Sequence, residues 1–351
     1  MVITGAVQKQ AWVDRTMPPP ERVRDNVWSI PVDFGHTPVR YTFSYLVFNE
    51  EGACVVIDPG WDSDLGRSQL LAGLELAGSS LDSVAGIVST HLHPDHLGMV
   101  QHLADVTGAW VGMHPLEAEL LEQFANPAQA QLLDSAWLAE IGVPDERVQE
   151  VLVSPETIAY MNALARPSLL LEDGDLLPLA GTTLRAAFTP GHTPGHLCIV
   201  DEVNELAFSG DHILPRITSN IGLTSTGTRS GALRSYYRSL ETMKKWDGFE
   251  VLPAHEYRFS GLAQRADDLA AHHRDRSNEI LSDLEGTDGL SVYGIAERIS
   301  WSRSWSSLDG VNLRAALSET AAHVDYLIEE GRIIAPALPT DGPRIVRLPH
   351  G

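Results

Sequence analysis

The sequence predicts a mixed α/β fold whose functional groups sit on loops at the ends of sheet strands. Three observations predict it. Short β-branched or apolar runs at 84–88, 183–188, 205–208 and 249–252 are each followed within a few residues by a histidine or aspartate: His91, His192, Asp211 and His255. Runs of that length read as buried strands, and loops on a rigid sheet are where reacting groups concentrate. Longer segments such as 67–77 and 94–106 read as helices between them. Finally, a 43% hydrophobic content over 351 residues is that of a packed globular protein, large enough for one big domain and a small one.

Taken in order, residues 1–26 read as an irregular leader, because Pro18-Pro19-Pro20 marks an extended segment unfit for a central strand. Short strands follow at 27–31, 41–49 and 53–57, the last ending in the turn signal Asp58-Pro59-Gly60. Residues 115–166 read as a helical insertion with segments at 115–124, 127–141, 146–151 and 155–165. Their apolar residues, among them Phe124, Leu132, Trp137 and Met161, suit a lid over an apolar pocket, half of a homodimer interface, or a plain covering layer. The strand pattern resumes at Gly174-Asp175, before 176–179. A loop of about 20 residues follows Asp211, and loops of that length are usually functional or disordered. It holds Arg216 and the Gly/Ser/Thr-rich stretch 222–231. On the next helix, 233–245, Arg234, Tyr237 and Arg238 share a face by their spacing, as an anion contact would require. The remainder, 261–351, reads as helices at 262–284, 290–299 and 313–331 with a strand-like tail at 344–348.

The chemistry lies in His91-Leu92-His93-Pro94-Asp95-His96, three imidazoles and a carboxylate in six residues. His192 opens Gly191-His192-Thr193-Pro194-Gly195-His196, and Asp211 and His255 follow later strands. Imidazole and carboxylate without thiolate suit zinc, and also iron or manganese. Two such cations sharing a water make a hydroxide at neutral pH and polarise a scissile carbonyl or phosphoryl oxygen. Asp95 is the candidate to orient that water and pass its proton to the leaving group. Cys54 and Cys198 lie in apolar runs and read as small buried hydrophobes. With 25 basic and 47 acidic residues the formal charge is −22, which weighs against a polyanionic partner. The first fifteen residues lack the apolar core of a signal peptide, and no run is long enough for a membrane helix, so a cytoplasmic location is expected. His272 and His273, set on a helix beside arginines, are expected to make structural hydrogen bonds or salt bridges rather than bind metal.

These residues resemble the metallo-β-lactamase superfamily of metal-dependent hydrolases over roughly residues 25–260. The resemblance implies a four-layer αββα sandwich and makes 27–260 the catalytic domain. It implies that His91, His93 and His192 hold one metal, that Asp95, His96 and His255 hold the second, and that Asp211 bridges the two. Asp58 and His196 would stand behind the ligands, Asp58 supporting the metal loop unless it is simply a turn cap. His255-Glu256-Tyr257 resembles the glyoxalase II family, which makes Tyr257 a substrate contact, with Arg216, Arg234 and Tyr237 as further ones. The C-terminal part resembles the small winged-helix-like domain of the branch that includes a single-strand ribonuclease. Nucleic acid is disfavoured all the same. Across 318–332, Glu319, Asp325, Glu329 and Glu330 stand against one arginine, the wrong sign for phosphate. The expectation is therefore a dinuclear hydrolase of a small acyl substrate, a thioester first and a lactone next, with a ribonuclease as the alternative.

Overall fold

Two β-sheets carry most of the apolar residues of the chain's first unit. The computed structural model describes residues 1–35, 39–222, 231–336 and 342–349. It divides the chain into one unit of Met1–Leu121, Ala163–Ser219 and Ser239–Ala266, and a second of Glu122–Asn162, Asn220–Arg238 and Asp267–Gly351.

The first sheet has seven strands: β2 (Glu21–Arg24), β3 (Val27–Asp33), β4 (Tyr41–Phe48), β5 (Cys54–Ile57), β6 (Val84–Val88), β7 (Trp110–Met113) and β8 (Leu169–Leu170), in that order across the sheet. β2 through β5 are antiparallel, whereas β5 through β8 run parallel. The parallel run needs crossover helices, which are α2 (Asp64–Leu76) between β5 and β6, then α3 (Pro94–Leu97) and α4 (Val100–Thr107) between β6 and β7. Ser63 caps α2, its hydroxyl accepting from the Gly66 N–H at 3.0 Å. Asp64 adds a negative charge in the first turn of α2, the end that the helix dipole favours for it. The second sheet takes β1 (Val2–Ile3), β9 (Leu184–Phe188), β10 (Leu197–Asp201), β11 (Leu206–Gly210), β12 (Glu250–Pro253) and β13 (Phe259–Ser260) in the order β1-β13-β12-β11-β10-β9, with β11 and β12 parallel.

Side chains from both sheets form one core, including Phe43, Tyr45, Val55 and Ile57 from the first and Leu184, Leu197, Ile199 and Phe208 from the second. Tyr45 and Phe208 meet at 5.2 Å in an edge-on contact, and the Tyr45 hydroxyl donates to the carbonyl of Pro253 at 2.7 Å. Each such fully buried large side chain contributes about 1.5–3 kcal/mol. Cys54 and Cys198 are free and buried, with burial pushing both thiols up to about 12.

The first 26 residues, expected to be irregular, instead supply β1, the helix α1 (Ala6–Asp14) and β2. β1 pairs with β13 and β2 with β3. A two-residue strand and the polar stretch Glu-Arg-Val-Arg carry no alternation from which either could be recognised. Conversely, 176–179 reduces to a single bridge between Leu176 and Arg185.

The second unit is helical. The insertion gives α5 (Pro115–Glu122), α6 (Pro127–Ile141), α7 (Asp145–Val151) and α8 (Pro155–Ala163), with α5 starting in the first unit. After α9 (Ala232–Met243) come α10 (Leu262–Leu284), α11 (Val292–Ala296) and α12 (Gly310–Glu329). The strand-like tail pairs only as isolated bridges, Val346 with Leu290 and Arg347 with Ile334. Trp137, Leu138 and Ile141 of α6 pack with Ile280 and Leu284 of α10 and Leu313, Leu317 and Leu327 of α12. The Arg314 guanidinium stacks over Trp137 at 5.3 Å and pairs with buried Asp134 at 2.6 Å. Trp137 is thus a core residue of this unit rather than an open face of a lid. Among the described residues no helix is long and apolar enough to cross a membrane.

Candidate metal centre

Both sheets end in the ligand loops. At the end of β5, Asp58 adopts φ 51°, an uncommon left-handed setting that turns its carboxylate toward the loop after β6. One oxygen accepts from the Thr90 N–H at 2.7 Å, and the other accepts from the Thr90 hydroxyl at 2.8 Å and the His96 Nδ1–H at 2.9 Å. His93 then occupies the N-cap position of α3 with Pro94 as its first residue, so Asp95 and His96 fall on one tight turn. The second sheet contributes His192 and His196 from the loop between β9 and β10, Asp211 directly after β11, and His255 after β12.

All seven motif residues converge in overlapping clusters: His91, His93 and His192; His91, His96 and Asp211; Asp95, His96 and His255. In the first, Nε2 of His91 and Nε2 of His192 lie 2.9 and 3.0 Å from Nδ1 of His93. A single lone pair on that nitrogen serves two ring N–H donors poorly, whereas one cation accepts all three nitrogens. In the last, Nε2 of His255 lies 3.3 Å from both Asp95 Oδ2 and Asp211 Oδ1, and Nε2 of His96 lies 3.6 Å from the same two oxygens. The other oxygen of Asp211 stands 3.7 Å from His192 Nε2, so this carboxylate spans both groups.

The far sides of the His91 and His255 rings are held, as that of His96 is by Asp58. His91 Nδ1 lies 3.0 Å from the Thr90 hydroxyl, and the His255 Nδ1–H donates to the Tyr41 carbonyl at 3.0 Å. Such outer contacts fix the tautomer and leave Nε2 as the ligating atom. His96 Nε2 and Asp211 Oδ1 are buried without a hydrogen-bond partner, a condition that costs about 1–3 kcal/mol per group unless something else binds there. The donor set therefore fits divalent cations. Burial and the neighbouring imidazoles hold His93 down to about 3 and His91 well below its usual value, keeping both neutral as ligation requires. Burial works against ionised Asp95, yet His96 and His255 draw it down to about 2.

Two supports differ in how visible they are in the sequence. His196 stands out by its motif; its Nδ1–H donates to the Thr189 hydroxyl at 2.9 Å and its Nε2 accepts from the Asp211 N–H at 3.2 Å. Gly210, at φ 49°, allows that approach, since a Cβ there would lie 2.8 Å from both His196 Nε2 and Thr90 Oγ1. Glu117 escapes sequence reasoning. Fully buried in the first turn of α5, its carboxylate accepts from the Leu92 N–H at 2.8 Å and the Gly195 N–H at 2.6 Å, so one side chain ties both ligand loops together. Burial pushes it up to about 7 against those two donors. Its only sequence signal is a carboxylate after Pro115, which reads as an ordinary first-turn acid.

The proposed substrate contacts are scattered. Tyr257 is buried beside Glu256, whose carboxylate accepts from the Arg216 N–H at 2.9 Å, while Arg216 itself is exposed. Arg234 pairs with Glu329 and Glu330 at 2.8 and 3.1 Å within the second unit, where the Tyr237 ring packs against Tyr326 at 5.4 Å. Most of the Gly/Ser/Thr-rich stretch, 223–230, lies outside the described residues.

Asp58→Asn is expected to weaken metal binding by roughly 10–100-fold, because His96 loses its anionic partner while the turn survives. A chelator competition titration measures this. Unchanged affinity would reduce Asp58 to a turn cap.

Known proteins are similar to this chain in sequence and fold. The profile of the metallo-beta-lactamase superfamily matches residues 37–255. The chain is 28% identical over 220 residues to the acyl-coenzyme A thioesterase MBLAC2 of Gallus gallus, covering 63% of this chain and 73% of that protein. It is 28% identical over 153 residues to a hydroxyacylglutathione hydrolase of Francisella tularensis subsp. novicida, covering 42% of this chain and 59% of that enzyme. Over almost the whole length, a beta-lactamase-like protein 2 homolog of Caenorhabditis elegans is 23% identical, covering 92% of this chain and 90% of that one. Among solved structures, a metallo-beta-lactamase family protein of Thermus thermophilus superposes with a TM-score of 0.77 at 24% identity, covering 93% of this chain and 100% of that one. With the profile spanning well over half its length, this chain belongs to the metallo-beta-lactamase superfamily.

Proposed function

We propose that the protein is a dinuclear metallohydrolase that cleaves a small acyl thioester. The observation that carries this reading is Asp211 standing between a three-histidine cluster and an Asp95–His96–His255 cluster. His91, His93 and His192 would hold one divalent ion, Zn2+ being the natural choice, and Asp95, His96 and His255 the other, with Asp211 shared. When bound, the ions supply an acidified water and a polarising charge for the scissile carbonyl.

The chain's own groups do the rest. Asp95 Oδ2 accepts from the Thr42 hydroxyl at 3.3 Å and faces His255 Nε2 at 3.3 Å, so its carboxylate is aimed and kept ionised. From there it orients the attacking water, takes its proton and returns it to the departing thiol. Tyr257 and the exposed Arg216 supply contacts for an anionic handle on the substrate. The thioester is favoured over a lactone because two relatives from different organisms are named for thioester hydrolysis. A ribonuclease is disfavoured by the net charge of −22.

Thiol release from a panel of acyl-CoA and acyl-glutathione thioesters tests the reading. Enzyme stripped by chelator and reloaded with Zn2+ should regain release that the stripped protein lacks. Absence of release from every member of the panel by the loaded enzyme would sink the thioester assignment and move the search to lactones, then single-stranded RNA.

A further inference from the structure

We propose that His273, Glu319 and His323 form an additional divalent-metal site in the helical unit, taking Zn2+ as a clamp between α10 and α12. None of these residues belongs to the ligand set of the two-sheet unit. His273 lies on α10, while Glu319 and His323 lie four apart on α12 and so share one face of it. One ligand atom from each residue lies within 4.8 Å of the other two.

The contacts repeat those of the first centre. His273 Nδ1 approaches His323 Nε2 to 3.2 Å, as the ring nitrogens of His91 and His192 approach His93 at 2.9 and 3.0 Å. Behind the His323 ring, Nδ1 lies 2.9 Å from the hydroxyl of Ser277, one turn along α10 from His273. Thr90 stands behind His91 in the same way at 3.0 Å. A hydroxyl in that position orients the ring and leaves the opposite nitrogen for a ligand. Both imidazoles are completely buried, and burial lowers both, His273 to about 3, so the pair is neutral at physiological pH.

A satisfied histidine pair, the role expected for His273 from its helical setting, accounts for less. Glu319 is turned onto the two rings and forms no ion pair among the described residues. The nearby Arg276 acts on Glu319 through its charge alone and makes direct contacts with Glu279 at 2.9 Å and the Trp301 ring at 4.8 Å. Glu319 alone of the three keeps partial exposure as a residue, while burial of its carboxyl pushes it up to about 7, so an ion bound there displaces a proton from it. Two imidazoles and one carboxylate form a three-ligand set that leaves zinc a fourth position for water.

The test is Zn2+ titration of the full-length protein after chelator treatment, read as Zn2+ retained per chain by elemental analysis and as the Zn2+-dependent rise in melting temperature. Glu319→Gln is nearly isosteric and partly exposed, so the fold is kept. It should retain one Zn2+ fewer than wild type and bind at this site more than ~100-fold more weakly, beyond the ~10–100-fold that loss of an outer contact costs. Ser277→Ala should weaken the same site by ~10–100-fold. In a His91→Ala/His96→Ala background, which disables the first centre, the remaining Zn2+ should disappear on adding Glu319→Gln. Equal Zn2+ retention and an equal thermal shift in wild type and Glu319→Gln would overturn the proposal, whatever the outcome of the thioester assay.

Discussion

Asp95→Ala is expected to lower turnover by at least ~100-fold, the lower end of what a positioned acid–base group contributes. Its Oδ2 faces the ring nitrogens of His255 and His96 and accepts from Thr42, so under the proposed function the substitution removes a ligand and a proton carrier together. Asp95→Asn separates the two roles. The amide oxygen still faces the cluster, but an amide takes up no proton, so turnover should fall while metal content changes less than in Asp95→Ala. Metal content and single-turnover rates of the two variants measured together make the distinction. A near-normal rate with a normal metal complement in Asp95→Ala would remove Asp95 from the mechanism.

Glu117→Ala is expected to destabilise the fold by about 2–4 kcal/mol and to loosen metal binding at a distance. The substitution strands the N–H groups of Leu92 and Gly195, each costing about 1–3 kcal/mol when buried and unpaired. Relief of burying a carboxyl that burial already pushes up to about 7 returns part of this. Glu117→Gln should fall between, keeping one acceptor oxygen and facing the other N–H with an amide nitrogen. The urea midpoint reports stability, and unchanged midpoints in both variants would show that the two loops hold themselves.

The cluster of histidines and aspartates was legible because metal chemistry demands scarce residue types at close spacing, and His91 to His96 concentrate them in six positions. The strands before Asp58 and His91 were legible for a related reason: buried strands with parallel neighbours are apolar on both faces, as Cys54–Ile57 and Val84–Val88 are. Glu117 was hidden because its partners are backbone N–H groups from two distant loops, and backbone contacts leave no trace in spacing. The same holds for His323, which lies 50 residues from His273 and gains meaning only when α10 and α12 are packed. Trp137 was open between a pocket wall, a dimer interface and a covering layer. An exposed-looking apolar stripe on α6 reads as a pocket wall until α10 and α12 cover it.

Asp58 and the residues from His91 to His96 hang from the seven-stranded sheet, whereas His192, Asp211 and His255 hang from the six-stranded one. Any ion that draws on both sets is a rivet through the sandwich, and ligand-linked stabilisation then adds about 4 kcal/mol to sheet pairing at a thousandfold excess over Kd. With such an ion bound, the heat tolerance of the protein would be partly a property of its medium, set by the free metal around it as well as by its own residues.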